Sequence, residues 1–174
     1  LELFQDAELG GFWQTPAGSQ HLILRFKEDY DGAEPSGNSI AILVLIKLAA
    51  ITGNAVYKKA AENSLRLFTP HLFKLPQAAP HMLIAVDAWF HDPTRIVIAG
   101  DPASPEAQAL LQTAHSVYRP GTVILGNSGP VDDFSRLLKP RHKKAEAFLC
   151  TATGCQEPTG DPERLLEQLQ AIHA

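Results

Sequence analysis

The stretch Tyr30-Asp-Gly-Ala-Glu-Pro-Ser-Gly-Asn-Ser39, running on into Ile40-Ala-Ile-Leu-Val-Leu-Ile-Lys-Leu-Ala-Ala-Ile51, decides the fold. Its first half is acidic and is broken by Gly32, Pro35 and Gly37; its second half carries one charge, Lys47. A run that is apolar on nearly every side specifies a helix enclosed by other elements rather than laid on a surface. It is also too short, and interrupted by a lysine, to span a membrane. Ser36 or Asn38 is the expected N-cap, because a side-chain oxygen there accepts a backbone N–H that the helix leaves unpaired. Gly53-Asn54 supplies the stop, glycine being suited to left-handed backbone just past a helix. Asp31 and Glu34 are thereby delivered to the mouth of a buried helix, where partly desolvated carboxylates can bind a ligand or move protons.

Upstream, Gly10-Gly-Phe-Trp13 and Thr15-Pro-Ala-Gly18 read as loop, followed by a short extended run, His21-Leu-Ile-Leu-Arg-Phe26. Downstream, a second helix is expected from about Ala55 to about Phe68. Val56, Ala60, Leu65, Leu67 and Phe68 form its apolar stripe, and Lys58, Lys59, Glu62, Asn63 and Arg66 its wet face. Pro70, Pro76 and Pro80 then break the chain before a third helix, about Ala79 to Phe90. Short connections make such helices antiparallel neighbours. From Thr94 the pattern turns continuous. Arg95-Ile-Val-Ile-Ala99 reads as a buried strand and Ser104-Pro-Glu106 as a helix start, with the helix running to about Tyr118. Gly121-Thr-Val-Ile-Leu125 is the next strand. Strand, capped helix, strand is a βαβ unit with parallel strands. A short helix over Val131–Leu138, a third strand over Ala145–Cys150 and a last helix from Asp161-Pro-Glu163 to Ile172 complete the chain. The fold class is mixed α and α/β: antiparallel helical hairpins over residues 1–92, then a small three-stranded parallel α/β module over 93–174.

At 174 residues, with 45% hydrophobic and 20% charged side chains, the chain has the make-up of a globular protein. A net charge of −4 argues against a nucleic-acid surface, and the densest basic cluster, Arg141-His-Lys-Lys144, reads as a solvated turn. Two cysteines, Cys150 and Cys155, are too few for a disulfide framework, and no signal peptide is seen, so the expected compartment is the cytoplasm. The chain opens on Leu1 rather than Met, as expected either of a processed chain or of a segment of something longer. Packing agrees. Three helices cannot enclose the Ile40–Ile51 run, and leaving four of its aliphatic side chains wet forfeits roughly 6–12 kcal/mol at about 1.5–3 each. That rivals the whole stability of a small domain. The α/β part, another copy or further chain must supply the cover; the remainder of a longer chain is the preferred partner.

Gly10-Gly-Phe-Trp13, Tyr30-Asp-Gly-Ala-Glu-Pro-Ser-Gly-Asn-Ser39, Ile96-Val-Ile-Ala-Gly100 and Cys150-x4-Cys155-Gln-x-Pro158-x-x-Asp161-Pro162 together resemble the C-terminal end of the spermatogenesis-associated thioredoxin-domain family. The likeness covers essentially the whole chain. It implies a full-length protein with a thioredoxin-like front domain and an α/α toroid similar to six-hairpin glycosidases and N-acylglucosamine 2-epimerases, with residues 10–90 as its final hairpins. No Cys-x-x-Cys is present, so a redox activity of the front domain does not carry over.

Asp31 and Glu34 are the candidate catalytic pair, since two acids in different environments can divide acid and base roles. The competing account has Glu34 at a helix N-terminus and Asp31 in a turn. Asn38, Trp13 and Asp87 are the candidate ligand-binding residues: Trp13 as a sugar-stacking face or as core, Asp87 with His91 four residues on as a buried relay or as a helix-end hydrogen bond. No His-Glu-x-x-His or Cys/His quartet points to a metal, and no glycine-rich loop to a dinucleotide, so no cofactor is expected. Asp101, Asn127 and Cys150 are expected together at the carboxyl edge of the parallel sheet. Three functions follow as expectations: a carbohydrate-binding or carbohydrate-processing site competent only in the complete protein; a non-catalytic scaffold or interaction module; and, third, thiol chemistry at Cys150 and Cys155.

Overall fold

A computed structural model describes residues 1–19, 22–142, 144–151 and 153–172. His21, at the head of the expected extended run, and Lys143, within the basic cluster, lie outside them. The chain divides into two compact units. The first comprises Leu1–Ala49 and Asn54–His91, the second Ala50–Gly53 and Asp92–Ala174.

The first unit holds three helices, α1 (Gly37–Thr52, whose last turn belongs to the second unit), α2 (Ala55–Lys74) and α3 (Pro80–Phe90), with a 3-10 turn at Pro76–Ala78. Ser36 caps α1, its hydroxyl accepting the Ser39 N–H at 3.1 Å. Gly53 ends it at φ +68°. Ile42, Leu45 and Ile46 of α1 join Ala60, Ala61, Leu65 and Phe68 of α2 and Met82 and Ala85 of α3 in one core. The opposite stripe of α1 stays wet: Ile40 is 40% and Val44 46% exposed.

α2 corrects the sequence reading. It does not stop near Phe68 but runs through Pro70 to Lys74. A proline inside a helix removes one N–H and crowds the carbonyl four residues back. Here Pro70 faces solvent, where water can take the displaced carbonyl, and the neighbouring Thr69 hydroxyl donates to Leu65 O at 2.7 Å. The interruption is tolerated.

The N-terminal segment is irregular and presses its backbone onto α2. Gly10 has φ +82°, and a Cβ there would stand 2.5 Å from Asn63 O; the Gly11 N–H donates to Ser64 Oγ at 2.9 Å. Gly10→Ala is therefore expected to cost about 2–3 kcal/mol, from backbone strain plus a collision with a rigid helix. Urea denaturation checks this, and a change below about 0.5 kcal/mol would refute the close approach.

In the second unit, β1 (Thr94–Ala99), β2 (Thr122–Gly126), β3 (Glu146–Thr151) and β4 (Gly154–Cys155) form one sheet in the order β2-β1-β3-β4. α4 (Pro105–Ser116) connects β1 to β2, which are parallel as the βαβ pattern requires. α4 starts as expected, the Ser104 hydroxyl accepting the Ala107 N–H and Pro105 standing at the first position. The sheet is not all-parallel, and it has four strands rather than three: β3 runs antiparallel to β1. A parallel return needs a crossover long enough to recross the sheet, normally a helix. α5 (Asp133–Leu137) has 5 residues and rises only about 7.5 Å. The chain therefore re-enters from the end it left.

Both faces of β1 are covered. Ile96 and Ile98 join Leu110 and Ala114 of α4 and Leu165 and Leu169 of α6 (Pro162–Ala171), while Val97 and Ala99 join Val123, Leu125, Val131 and Phe148. That two-sided burial explains the unbroken apolar run.

Candidate functional site

The acidic loop is built around Asp31, which is 8% exposed. Its Oδ1 accepts the Ser36 N–H at 2.7 Å, and its Oδ2 accepts the N–H groups of His81 at 2.7 Å and Met82 at 3.0 Å. Its own N–H donates to Ala78 O at 2.8 Å. α3 begins at Pro80 after Ala79, which has no side chain able to cap it. Asp31 supplies the missing acceptor from 50 residues away, and its charge complements the positive end of the helix. Burial opposes the charged form, but the Ser36 N–H, the Ser39 hydroxyl and the N–H groups of Met82 and His81 outweigh it and hold the carboxyl below its usual value of 3.8. The group is a fixed carboxylate with its lone pairs engaged.

Glu34 stands differently. It is exposed, and among the described residues its carboxylate has no hydrogen bond or ion pair, although its carbonyl accepts the Gly32 N–H at 3.1 Å. One loop thus presents two acids in opposite states, one buried and bonded, the other in solvent.

Asn38 is 2% exposed. Its Oδ1 accepts the Phe12 N–H at 2.6 Å, while its Nδ2 donates to Phe12 O at 3.0 Å and Glu28 O at 2.8 Å. It ties α1 to two separate loop segments. Trp13 is half-buried, and its ring is engaged by two cations, Lys27 Nζ at 4.5 Å and the Arg25 guanidinium at 4.9 Å from the centroid. Lys27 also donates to Asp6 at 2.9 Å and to Gly10 O at 2.6 Å, so the clamp is fixed. Sequence reasoning missed it because Arg25 and Lys27 alternate with apolar residues in an extended run and carry no motif of their own.

Asp87 and His91 meet as their spacing requires, at 3.2 Å, but the pair is not buried: the side chains are 75% and 73% exposed. The apolar helix around Asp87 suggested an interior position, whereas α3 turns this edge to water. Asp101 and Asn127 follow the carboxyl ends of β1 and β2 as expected. Cys150 does not join them, because antiparallel β3 places it opposite Arg95, at the start of β1. Cys150 is disulfide-bonded to Cys155 across the β3–β4 pair, an option the sequence left open. A further contact without a sequence signal joins Arg95 to Asp132 at 2.5 Å; Asp132 also caps α5 by accepting the Ser135 N–H.

Among the described residues no group of three or more His, Cys, Asp or Glu side chains is placed to hold a metal ion, and no helix is long and apolar enough to cross a membrane.

Comparison with known proteins finds relatives over nearly the whole chain. The chain is 34% identical to spermatogenesis-associated protein 20 of Homo sapiens over 97% of its length, 34% identical to that of Rattus norvegicus, and 33% identical to that of Mus musculus. It spans only 22% of the length of these relatives. No family model and no solved structure matches it.

Proposed function

Starting from the correspondence of this chain to a C-terminal region of the spermatogenesis-associated protein 20 family, we propose that it is a docking module that closes a larger helical body. The observation that carries this is the wet stripe of α1: Ile40 and Val44, one turn apart, stand 40% and 46% exposed on a helix with no polar face. Leu83 and Ile84 of α3 are exposed as well. The occupant of this face is further helical hairpins of the same chain, since the relatives are several times longer, and an α/α toroid is the arrangement these hairpins complete. Val44→Lys tests it. In the 174-residue chain the substitution is expected to change stability by less than about 0.5 kcal/mol, because the site is already wet. In the full-length protein it should cost about 2 kcal/mol or more, because a charge would then be buried against apolar neighbours. Equal effects in both would overturn the docking role.

A second reading, a carbohydrate site completed by those hairpins, rests on Glu34. Among the described residues its carboxylate has no hydrogen-bond or ion-pair partner, and it stands on a backbone that Asp31 holds in place. Glu34→Gln is expected to leave stability within about 0.5 kcal/mol and to abolish a sugar-dependent thermal shift of the full-length protein. If a sugar shift persists in the variant, Glu34 has no part in it.

A further inference from the structure

We propose that the Cys150–Cys155 bond is a thiol–disulfide exchange site for a peptide thiol of the glutathione class, attacked at Cys155. The two sulfurs are unequal. Cys150 is 4% exposed, in β3 and inside the core beneath the sheet, whereas Cys155 is exposed on β4. A nucleophile from solvent therefore reaches Cys155. β4 is the edge of the sheet, so its outer backbone groups can take an extended peptide as an added strand. Beside it lies a cleft of about 480 Å³, walled by Arg95, Phe134, Thr151, Thr153 and both cysteines, with Asp92 on its rim. That volume suits a small-molecule ligand.

Arg95 gives the exchange its direction. It is the register partner of Cys150 as Cys155 is on the other side, so the three side chains share one face of the sheet. Arg95 donates one nitrogen to Asp132 and keeps further N–H donors in its guanidinium fork. In the step, the incoming thiolate forms a new bond to Cys155 Sγ. The Cys150–Cys155 bond breaks, and its electron pair leaves on Cys150 Sγ, which develops as a thiolate beside the Arg95 cation and then takes a proton from water. A leaving thiolate stabilised by a cation departs faster. The products are a mixed disulfide on Cys155 and a thiol at Cys150, with no net oxidant consumed. Reversal, by Cys150 attacking Cys155, expels the peptide thiol.

The test treats the folded, oxidised 174-residue chain with reduced glutathione, quenches with an alkylating reagent and maps both cysteines by mass spectrometry. Glutathione should be found on Cys155 and the alkyl label on Cys150. At equal thiolate concentration it should react about fivefold faster than 2-mercaptoethanol, which cannot use the cleft. Arg95→Gln should slow the exchange about fivefold and Arg95→Lys should restore most of it. Because loss of the Asp132 pair can also loosen the fold, the position of the adduct in the unaltered chain decides independently. Glutathione on Cys150, an equal mixture, equal rates for the two thiols, or two free thiols in the untreated chain would each overturn the proposal.

Discussion

Asp31→Ala is expected to remove about 3–5 kcal/mol from the stability of the first unit, because the buried N–H groups of Ser36 and Met82 and the part-buried N–H of His81 lose their acceptor at once. The two tryptophans, Trp13 and Trp89, both lie in that unit, so urea denaturation followed by their fluorescence reports on it directly. Asp31→Asn separates charge from shape. Its amide can offer an oxygen either to Ser36 or to the α3 N-terminus, and whichever it chooses, the NH2 group faces an N–H. A loss approaching that of alanine is expected. The acid limb gives a second readout. The folded carboxyl titrates below its ordinary value, so its stabilisation is complete above about pH 4, where the unfolded group is also ionised, and disappears as pH falls through the folded pKa. Asp31→Asn should flatten that limb. A variant as stable as the parent, with an unchanged acid profile, would free Asp31 for the catalytic role its sequence position suggested.

The same residue shows what the sequence reveals and what it conceals. α1, α4 and α6 were legible because their start signals are local: Ser36, Ser104-Pro105 and Asp161-Pro162 each stand within a few residues of the N–H groups they serve. α3 has Pro80 at its start but alanine before it, and its acceptor arrives from a distant loop. A helix with a start residue and no cap is itself a signal that a remote acceptor is needed, and Asp31, in a turn beside a buried helix, was the available one. The direction of β3 was hidden for the opposite reason. The crossover rule applies only where a helix recrosses the sheet, and α5 is too short to do so. Of the two accounts of Asp87, the helix-end hydrogen bond is the one seen, with His91 Nδ1 2.9 Å from Asp87 O, and the buried relay is not, because α3 leaves Leu83, Ile84 and Phe90 in solvent too.

Asn38→Ala is expected to cost about 3–4 kcal/mol, since it strands the Phe12 N–H and removes the donor to Phe12 O and Glu28 O. The isosteric Asn38→Asp is the sharper experiment. It keeps an acceptor for Phe12 but turns an anionic oxygen toward two carbonyls in a site that is 2% exposed. Its folded-state pKa must rise, so the folded state binds the extra proton more readily than the unfolded one. Stability of this variant should therefore increase as pH falls from neutrality toward about 4, while the parent, dependent on the ionised Asp31, is losing its acid-side margin below that value. Opposite slopes in neighbouring pH ranges, read by the same tryptophan fluorescence, would identify Asn38 as a three-point tie of the loops onto α1. If Asn38→Asp instead followed the parent throughout, the tie would be dispensable and Asn38 would be available to a ligand.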